Sequence, residues 1–127
     1  LLDRTSTAFG AGAPVVSVEL DPRGFSAEWA SVLGATGVSH VSLGVQTFAD
    51  AIQQRIGRVQ PARLIDSTVG QLRGAGVRSI NFDLMYGLPG QTMDDLEATL
   101  AHSIGLAPER IALFGYAHVP HILPRQR

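Results

Sequence analysis

The sequence contains no cysteine and no lysine: its ten basic residues are all arginine, set against 11 Asp and Glu in 127 residues. Without cysteine, these residues can form no disulfide, thiolate zinc site, cysteine nucleophile or iron-sulfur ligand. Without lysine, they offer no phosphate-loop lysine, Schiff-base lysine or lysine general base. A formal charge of -1 gives no basic field for nucleic acid. No apolar run approaches the ~20 residues of a membrane span, so neither a membrane nor a nucleic acid is expected as a partner. An initiating Met and a signal-peptide pattern are also missing; the chain opens at Leu1 and reads as a piece of something longer.

What is present suits a soluble globular segment. With 45% hydrophobic residues, a chain of this length can bury roughly two thirds of its unfolded surface, enough for one domain or part of one. Short β-branched runs occur at 15–20 (VVSVEL), 38–46 (VSHVSLGVQ), 78–86 (RSINFDLMY) and 110–117 (RIALFGYA), which predicts four strands. Helices are expected between them. One covers 26–36, capped by Ser26 and stopped by Gly37; a second covers 61–75, opened by Pro61 and stopped by Gly76; a third covers 92–104, with a capping-box pattern Thr92-x-x-Asp95. A shorter helical turn is expected at 49–56, while 1–14 reads as a loop or weakly anchored lead-in.

Strands alternating with helices imply parallel pairing, and near-continuous apolar strands imply a sheet covered on both faces. That is α/β architecture. Periodicity alone leaves a doubly wound sheet and a barrel open; the polar residues near the strand ends, Glu19, Gln46 and Asp83, favour a barrel with one shared mouth. Neighbouring strands would then place two carboxylates and an amide around one pocket. Arg58, twelve residues after Gln46, reaches the same rim and offers a planar fork to a ligand carboxylate. The plainer alternative gives Glu19 a structural ion pair, Gln46 a backbone partner and Arg58 a solvated position.

The turn Tyr86-Gly87-Leu88-Pro89-Gly90 leads into a helix whose N-terminus can hold an anion, but a sharp strand-to-helix turn with no ligand is the favoured explanation. His118-x-x-His121 invites a zinc reading, but Pro120 opposes a helix and no third ligand is near, so no metal site is assigned. Tyr116, beside the expected mouth, is the aromatic residue placed to stack on a ligand.

Four motifs extend this reading: SVELDPR (17–23), SLGVQTF (42–48), NFDLMYGLP (81–89) and GYAHVP (115–120). Their order and spacing resemble the oxygen-independent coproporphyrinogen III oxidases, which are radical S-adenosylmethionine enzymes. ELDPR and YAHVP look like the oxidase; the other two motifs are shared with related haem chaperones that bind haem without oxidase activity, and such a relative is the alternative.

The resemblance implies a parallel (β/α) partial TIM-type barrel of the radical S-adenosylmethionine kind. Of it, this chain, 1–127, supplies about the last four strand-helix units as part of one domain. It implies two molecules of S-adenosylmethionine and a 4Fe-4S cluster held by a Cys-x-x-x-Cys-x-x-Cys loop outside this segment. Glu19 is the implied contact to the cluster-bound molecule; Gln46, Arg58, Asp83 and Ala117 are the implied contacts to the second. The implied reaction is the oxidative decarboxylation of coproporphyrinogen III to protoporphyrinogen IX in haem biosynthesis, in a cytoplasmic protein, monomeric at full length, that receives electrons from a donor. No residue here is implied as catalytic. Alone, the segment is expected to be inactive and to fold poorly or associate through unpaired strand edges.

Overall fold

The computed structural model describes residues 2–9 and 15–118. A helix α1 (Leu2–Phe9) comes first, where the sequence reads as a weakly anchored lead-in. Then follow β1 (Ser17–Leu20), α2 (Ala27–Thr36), β2 (His40–Gln46), α3 (Asp50–Arg55), α4 (Ala62–Gly74), β3 (Ser79–Tyr86), α5 (Met93–Gly105) and β4 (Arg110–Gly115). All four expected strands form, and their bounds differ from expectation by two residues at most. A single 3-10 turn, Pro22–Gly24, links β1 to the approach of α2.

Helix ends follow local chemistry. Ser26 accepts from Trp29 N at the start of α2, and Gly37, at φ 70°, closes the helix in the left-handed conformation that a side chain disfavours. At α5, Thr92 accepts from Asp95 N while the Asp95 carboxylate accepts from Thr92 N at 2.8 Å, which completes the capping box.

The four strands are parallel and hydrogen-bonded in chain order, β1-β2-β3-β4. A doubly wound sheet reverses its strand order at a switch point; no reversal occurs among the described strands, so this is the progression of a barrel wall. Along β2 and β3, buried and half-buried residues alternate. Val41, Leu43, Val45, Ile80, Phe82 and Leu84 point to one face and pack against Leu33 of α2, Ile65, Val69 and Leu72 of α4, and Leu100 of α5.

The other face carries Ser42, Gly44, Asn81 and Asp83, all only half-buried. This corrects the expectation of a sheet covered on both faces: among the described residues, helices cover one face. The reason is the period-two placement of small and polar residues within strands that look apolar when read as runs. Burying each large core side chain stabilises the fold by about 1.5–3 kcal/mol. Truncation of the fully buried Phe82 to alanine is expected to cost about 3–5 kcal/mol through the cavity it leaves.

The last strand is less covered. Ile111 and Leu113 stand in register with Phe82 and Leu84, yet are 37% and 45% exposed where their partners are at 0%. No described helix lies beyond β4 to cover them.

Candidate functional site

The uncovered face is concave, and a cavity of about 690 Å³ lies along it, lined by Ser17, Ser42, Asn81, Asp83, Ala112 and Phe114 among others. Register places its residues in layers across the strands. Glu19 pairs with Ser42, Ser42 with Asn81 and Asn81 with Arg110; in the next layer Gly44 pairs with Asp83 and Asp83 with Ala112. Paired residues of parallel strands project to the same face, so Glu19 and Asp83 both belong to this concave side. Ser42 Oγ donates to Asp83 Oδ2 at 2.7 Å, and Asn81 Nδ2 donates to Asp83 Oδ1 at 2.7 Å and to Ser42 Oγ at 2.7 Å. Among the described residues, the Glu19 carboxylate makes no hydrogen bond or ion pair.

Gln46 ends β2 in an unusual backbone conformation. Its φ is 67°, and Thr47 N donates to Val45 O at 2.8 Å, which makes Gln46 the centre of a γ-turn of the rarer, strained hand. The strand register shifts between Gly44 and Gln46 at the same place. A bend of this kind re-aims the side chain at a strand end.

Arg58 comes back to this end of the strand from the loop between α3 and α4. Its Nη2 donates to Gly44 O at 3.0 Å and lies 3.4 Å from Asp21 Oδ2. A Cβ added to Gly44 would lie 2.8 Å from Arg58 Nη2 and 3.1 Å from Gln46 Nε2, so glycine is what lets the guanidinium and the amide meet over the strand. Gly44 is level with Asp83, so Arg58 and Gln46, lying over Gly44, stand beside the strand that carries Asp83; the cavity itself is lined by Asp83 but not by Glu19, Gln46 or Arg58. Arg58 is therefore not the solvated helix-end cation of the plainer alternative: its side chain is 26% exposed, and its Nε is buried without an acceptor among the described residues.

Asp21 sits between two arginines. Arg23 grips it in a fork, Nε to Oδ1 at 3.0 Å and Nη2 to Oδ2 at 2.6 Å, and Arg58 approaches from the other side. The Arg23 hydrogen bonds, with the Arg58 charge adding to them, hold the Asp21 carboxyl down at about 2 against a partial opposing effect of burial.

Sequence reasoning missed the support beneath Arg58. Gln53 and Gln60 are both buried and bond to each other, while Gln53 Nε2 also donates to Thr47 O at 2.8 Å and Gln60 Nε2 to Gly44 O at 3.1 Å. A second Gln60 bond, to Val45 O, ties the loop to the end of β2. Thr99 of α5 completes the network, meeting Thr47 Oγ1 at 3.1 Å and accepting from Phe48 N at 3.1 Å. Two polar glutamines flanking the α3–α4 loop were the available signal. Ser42 and Asn81 were missed as well, although their alternation with Val41, Leu43, Ile80 and Phe82 marks them as one face.

The turn after β3 is self-contained. Leu88 N donates to Gln91 Oε1 at 3.2 Å and Gln91 Nε2 donates to Met85 O at 3.2 Å, while Gly87 and Gly90 take φ of 74° and 76°. At the N-terminus of α5 the Asp95 carboxylate already occupies the place of an anion, consistent with the favoured plain strand-to-helix turn. Ala117 lies just past the end of β4, at the same end of the sheet as Gln46 and Tyr86. Tyr116 N donates to Tyr86 O at 2.9 Å, fixing the start of that segment. His118 is exposed; His121, Pro120 and the last residues of the GYAHVP motif lie outside the described residues.

The fold and site together define a parallel (β/α) barrel wall with its polar chemistry on the uncovered face. The model of the radical SAM superfamily matches residues 3–102, and the chain belongs to that superfamily. It is 44% identical over 112 residues to the oxygen-independent coproporphyrinogen III oxidase of Bradyrhizobium diazoefficiens, covering 88% of this chain and 25% of that protein. An uncharacterised protein of Sinorhizobium fredii, y4hJ, is 46% identical over 124 residues, covering 98% of this chain and 47% of that one. The solved structure of the Escherichia coli coproporphyrinogen III oxidase, a radical SAM enzyme, superposes with a TM-score of 0.87 at 33% identity, covering 99% of this chain and 30% of that one. The chain thus spans about half the length of one curated relative and about a quarter of the other.

The superfamily's cofactors are S-adenosylmethionine and a 4Fe-4S cluster. With no cysteine, this chain cannot ligate the cluster. Its uncovered face does fit an adenosyl ligand: two carboxylates offer acceptors, the buried Arg58 Nε still lacks one, and Gly44 lets the Arg58 guanidinium and the Gln46 amide lie over the strand.

Proposed function

We propose that the protein to which this chain belongs is an oxygen-independent coproporphyrinogen III oxidase, converting two propionate side chains of coproporphyrinogen III to vinyl groups with loss of carbon dioxide, to give protoporphyrinogen IX in haem biosynthesis. The observation that supports this reading is the placement of Glu19 and Asp83 on one face of neighbouring strands, with Arg58 and Gln46 over Gly44, the register partner of Asp83, in a chain 44% identical to a protein of that name. When bound, the cluster and S-adenosylmethionine supply the one-electron and hydrogen-abstraction chemistry.

The chain's own residues bind and orient. Glu19 contacts the cluster-bound S-adenosylmethionine through its amino group or ribose hydroxyls. Gln46, Arg58, Asp83 and Ala117 hold a second molecule. Arg58, anchored on Gly44 O and Asp21, offers its remaining N–H groups to a methionyl carboxylate, and Asp83 accepts from hydroxyl or ammonium groups. Met85 and Phe114, on the concave face one layer beyond Asp83 and Ala112, help to exclude water there. Arg23 is committed to Asp21 and is not a substrate contact in this reading. Coproporphyrinogen III and an electron donor are the partners of a monomeric cytoplasmic enzyme; no helix among the described residues is long and apolar enough to cross a membrane.

An anaerobic assay of the full-length protein with coproporphyrinogen III, S-adenosylmethionine and a reductant tests this reading. Protoporphyrinogen IX with matching 5'-deoxyadenosine supports it; haem binding without product supports the chaperone instead.

A further inference from the structure

We infer that Ser42 and Asn81 are positioning residues for Asp83, fixing its carboxylate so that its free acceptor sites face a hydrogen-bond donor of the ligand. The inference rests on the reading of Asp83 as a ligand contact and adds how that contact is set.

The three side chains form a closed ring across β2 and β3. Asn81 Nδ2 donates to Asp83 Oδ1 and to Ser42 Oγ, each at 2.7 Å, and Ser42 Oγ donates to Asp83 Oδ2 at 2.7 Å. Direction in this ring is forced. A reversed Asn81 amide would set its carbonyl oxygen against a carboxylate, acceptor facing acceptor, so Nδ2 must face Asp83. Both Asn81 hydrogens are then in use, and Ser42 has one hydrogen, already given to Asp83.

Two consequences follow. With one bond on each oxygen, the Asp83 carboxylate is held against rotation before any ligand arrives, which lowers the ordering cost of binding. Neither Ser42 nor Asn81 keeps a hydrogen for a ligand, so what this ring offers the cavity is acceptor capacity; the donor in the same layer is Arg110, in register with Asn81. Ribose hydroxyls or an ammonium group suit that ring.

The experiment uses the full-length protein with its cluster reconstituted, and measures S-adenosylmethionine binding by equilibrium dialysis for wild type, Asp83→Asn, Ser42→Ala, Ser42→Thr and Asn81→Ala. Loss of a hydrogen bond to a charged group is expected to weaken one of the two bound molecules about tenfold in Ser42→Ala and at least as much in Asn81→Ala. The other molecule should be unaffected, and Ser42→Thr, which keeps the hydroxyl, should bind like wild type. If Asp83→Asn weakens binding while Ser42→Ala and Asn81→Ala do not, the positioning role is overturned and the Asp83 contact stands. Equal weakening of both molecules, not rescued by threonine, marks general structural damage and also overturns the role. Unchanged binding in Asp83→Asn removes the contact itself.

Discussion

Gln53 and Gln60 grip each other across the α3–α4 loop: Gln60 N donates to Gln53 Oε1 at 2.9 Å, and Gln53 Nε2 donates to Gln60 O at 3.0 Å. The same two side chains bond to Thr47 O and Gly44 O, so the loop that carries Arg58 is fastened to the end of β2. Gln53→Ala removes the partner of Gln60 N, Gln60 O and Thr47 O in a buried place. The cost is expected at about 2–4 kcal/mol, from buried groups left unsatisfied. A lowered denaturant midpoint checks the stability, and weakened S-adenosylmethionine binding in the protein that remains folded checks the link to Arg58.

Gly44→Ala probes the site with little else disturbed. Its Cβ would meet Arg58 Nη2 at 2.8 Å and Gln46 Nε2 at 3.1 Å, both the ends of flexible side chains that can swing away. Stability is expected to change by less than about 1 kcal/mol, as alanine in a strand is itself no burden relative to glycine. Ligand affinity, read by calorimetric titration of the cluster-loaded protein, is expected to fall several-fold.

Ala107 lies two residues past α5 at φ 50°, the position that Gly76 occupies after α4, and shares the left-handed conformation of Gly37 and Gly76. Replacement by glycine removes the steric penalty of a side chain there. Ala107→Gly is expected to raise stability by up to about 1 kcal/mol, despite the greater freedom of glycine in the unfolded chain. The backbone carbonyl that accepts from Arg73 Nη2 at 2.9 Å is retained. Thermal melting of wild type and variant side by side measures the difference.

Acid should weaken the fold through specific carboxylates. Asp21 is lowered from 3.8 to about 2 by its Arg23 hydrogen bonds, with Arg58 adding to them. Burial pushes Glu109 up, but its bridge to Arg73 and its bond from Ile80 N leave it lowered overall. Asp95 is lowered by Thr92. A carboxyl depressed in the folded state gives stability that is present above its unfolded value and lost as pH falls through the folded one. For Asp21 that window runs from 3.8 down to about 2. Denaturant midpoints recorded across it should drop less steeply in Asp21→Asn than in wild type.

Local signals were the most legible in the sequence. Ser26, Gly37, Thr92 and Asp95 mark helix ends through bonds to residues a few positions away, and the structure has those bonds. Strand order was not local: only the consecutive pairing of β1 to β4 separates the barrel wall from a doubly wound sheet. The polar ring at Asp83 was hidden for the same reason, because Ser42 and Asp83 are 41 residues apart and meet only through strand register. Thr99 reaches Thr47 over 52 residues. At α5 the plain turn was the favoured reading, and the nearest anion is the helix's own Asp95.

The central claim is that the concave ends of β1, β2 and β3 receive adenosyl ligands. A crystal structure of the full-length protein grown anaerobically with its cluster and S-adenosylmethionine tests it most directly. The expected result is one molecule hydrogen-bonded to Glu19 and another within reach of Asp83 and Arg58. Density for S-adenosylmethionine that touches none of these three residues, with the concave face filled by water alone, would contradict it.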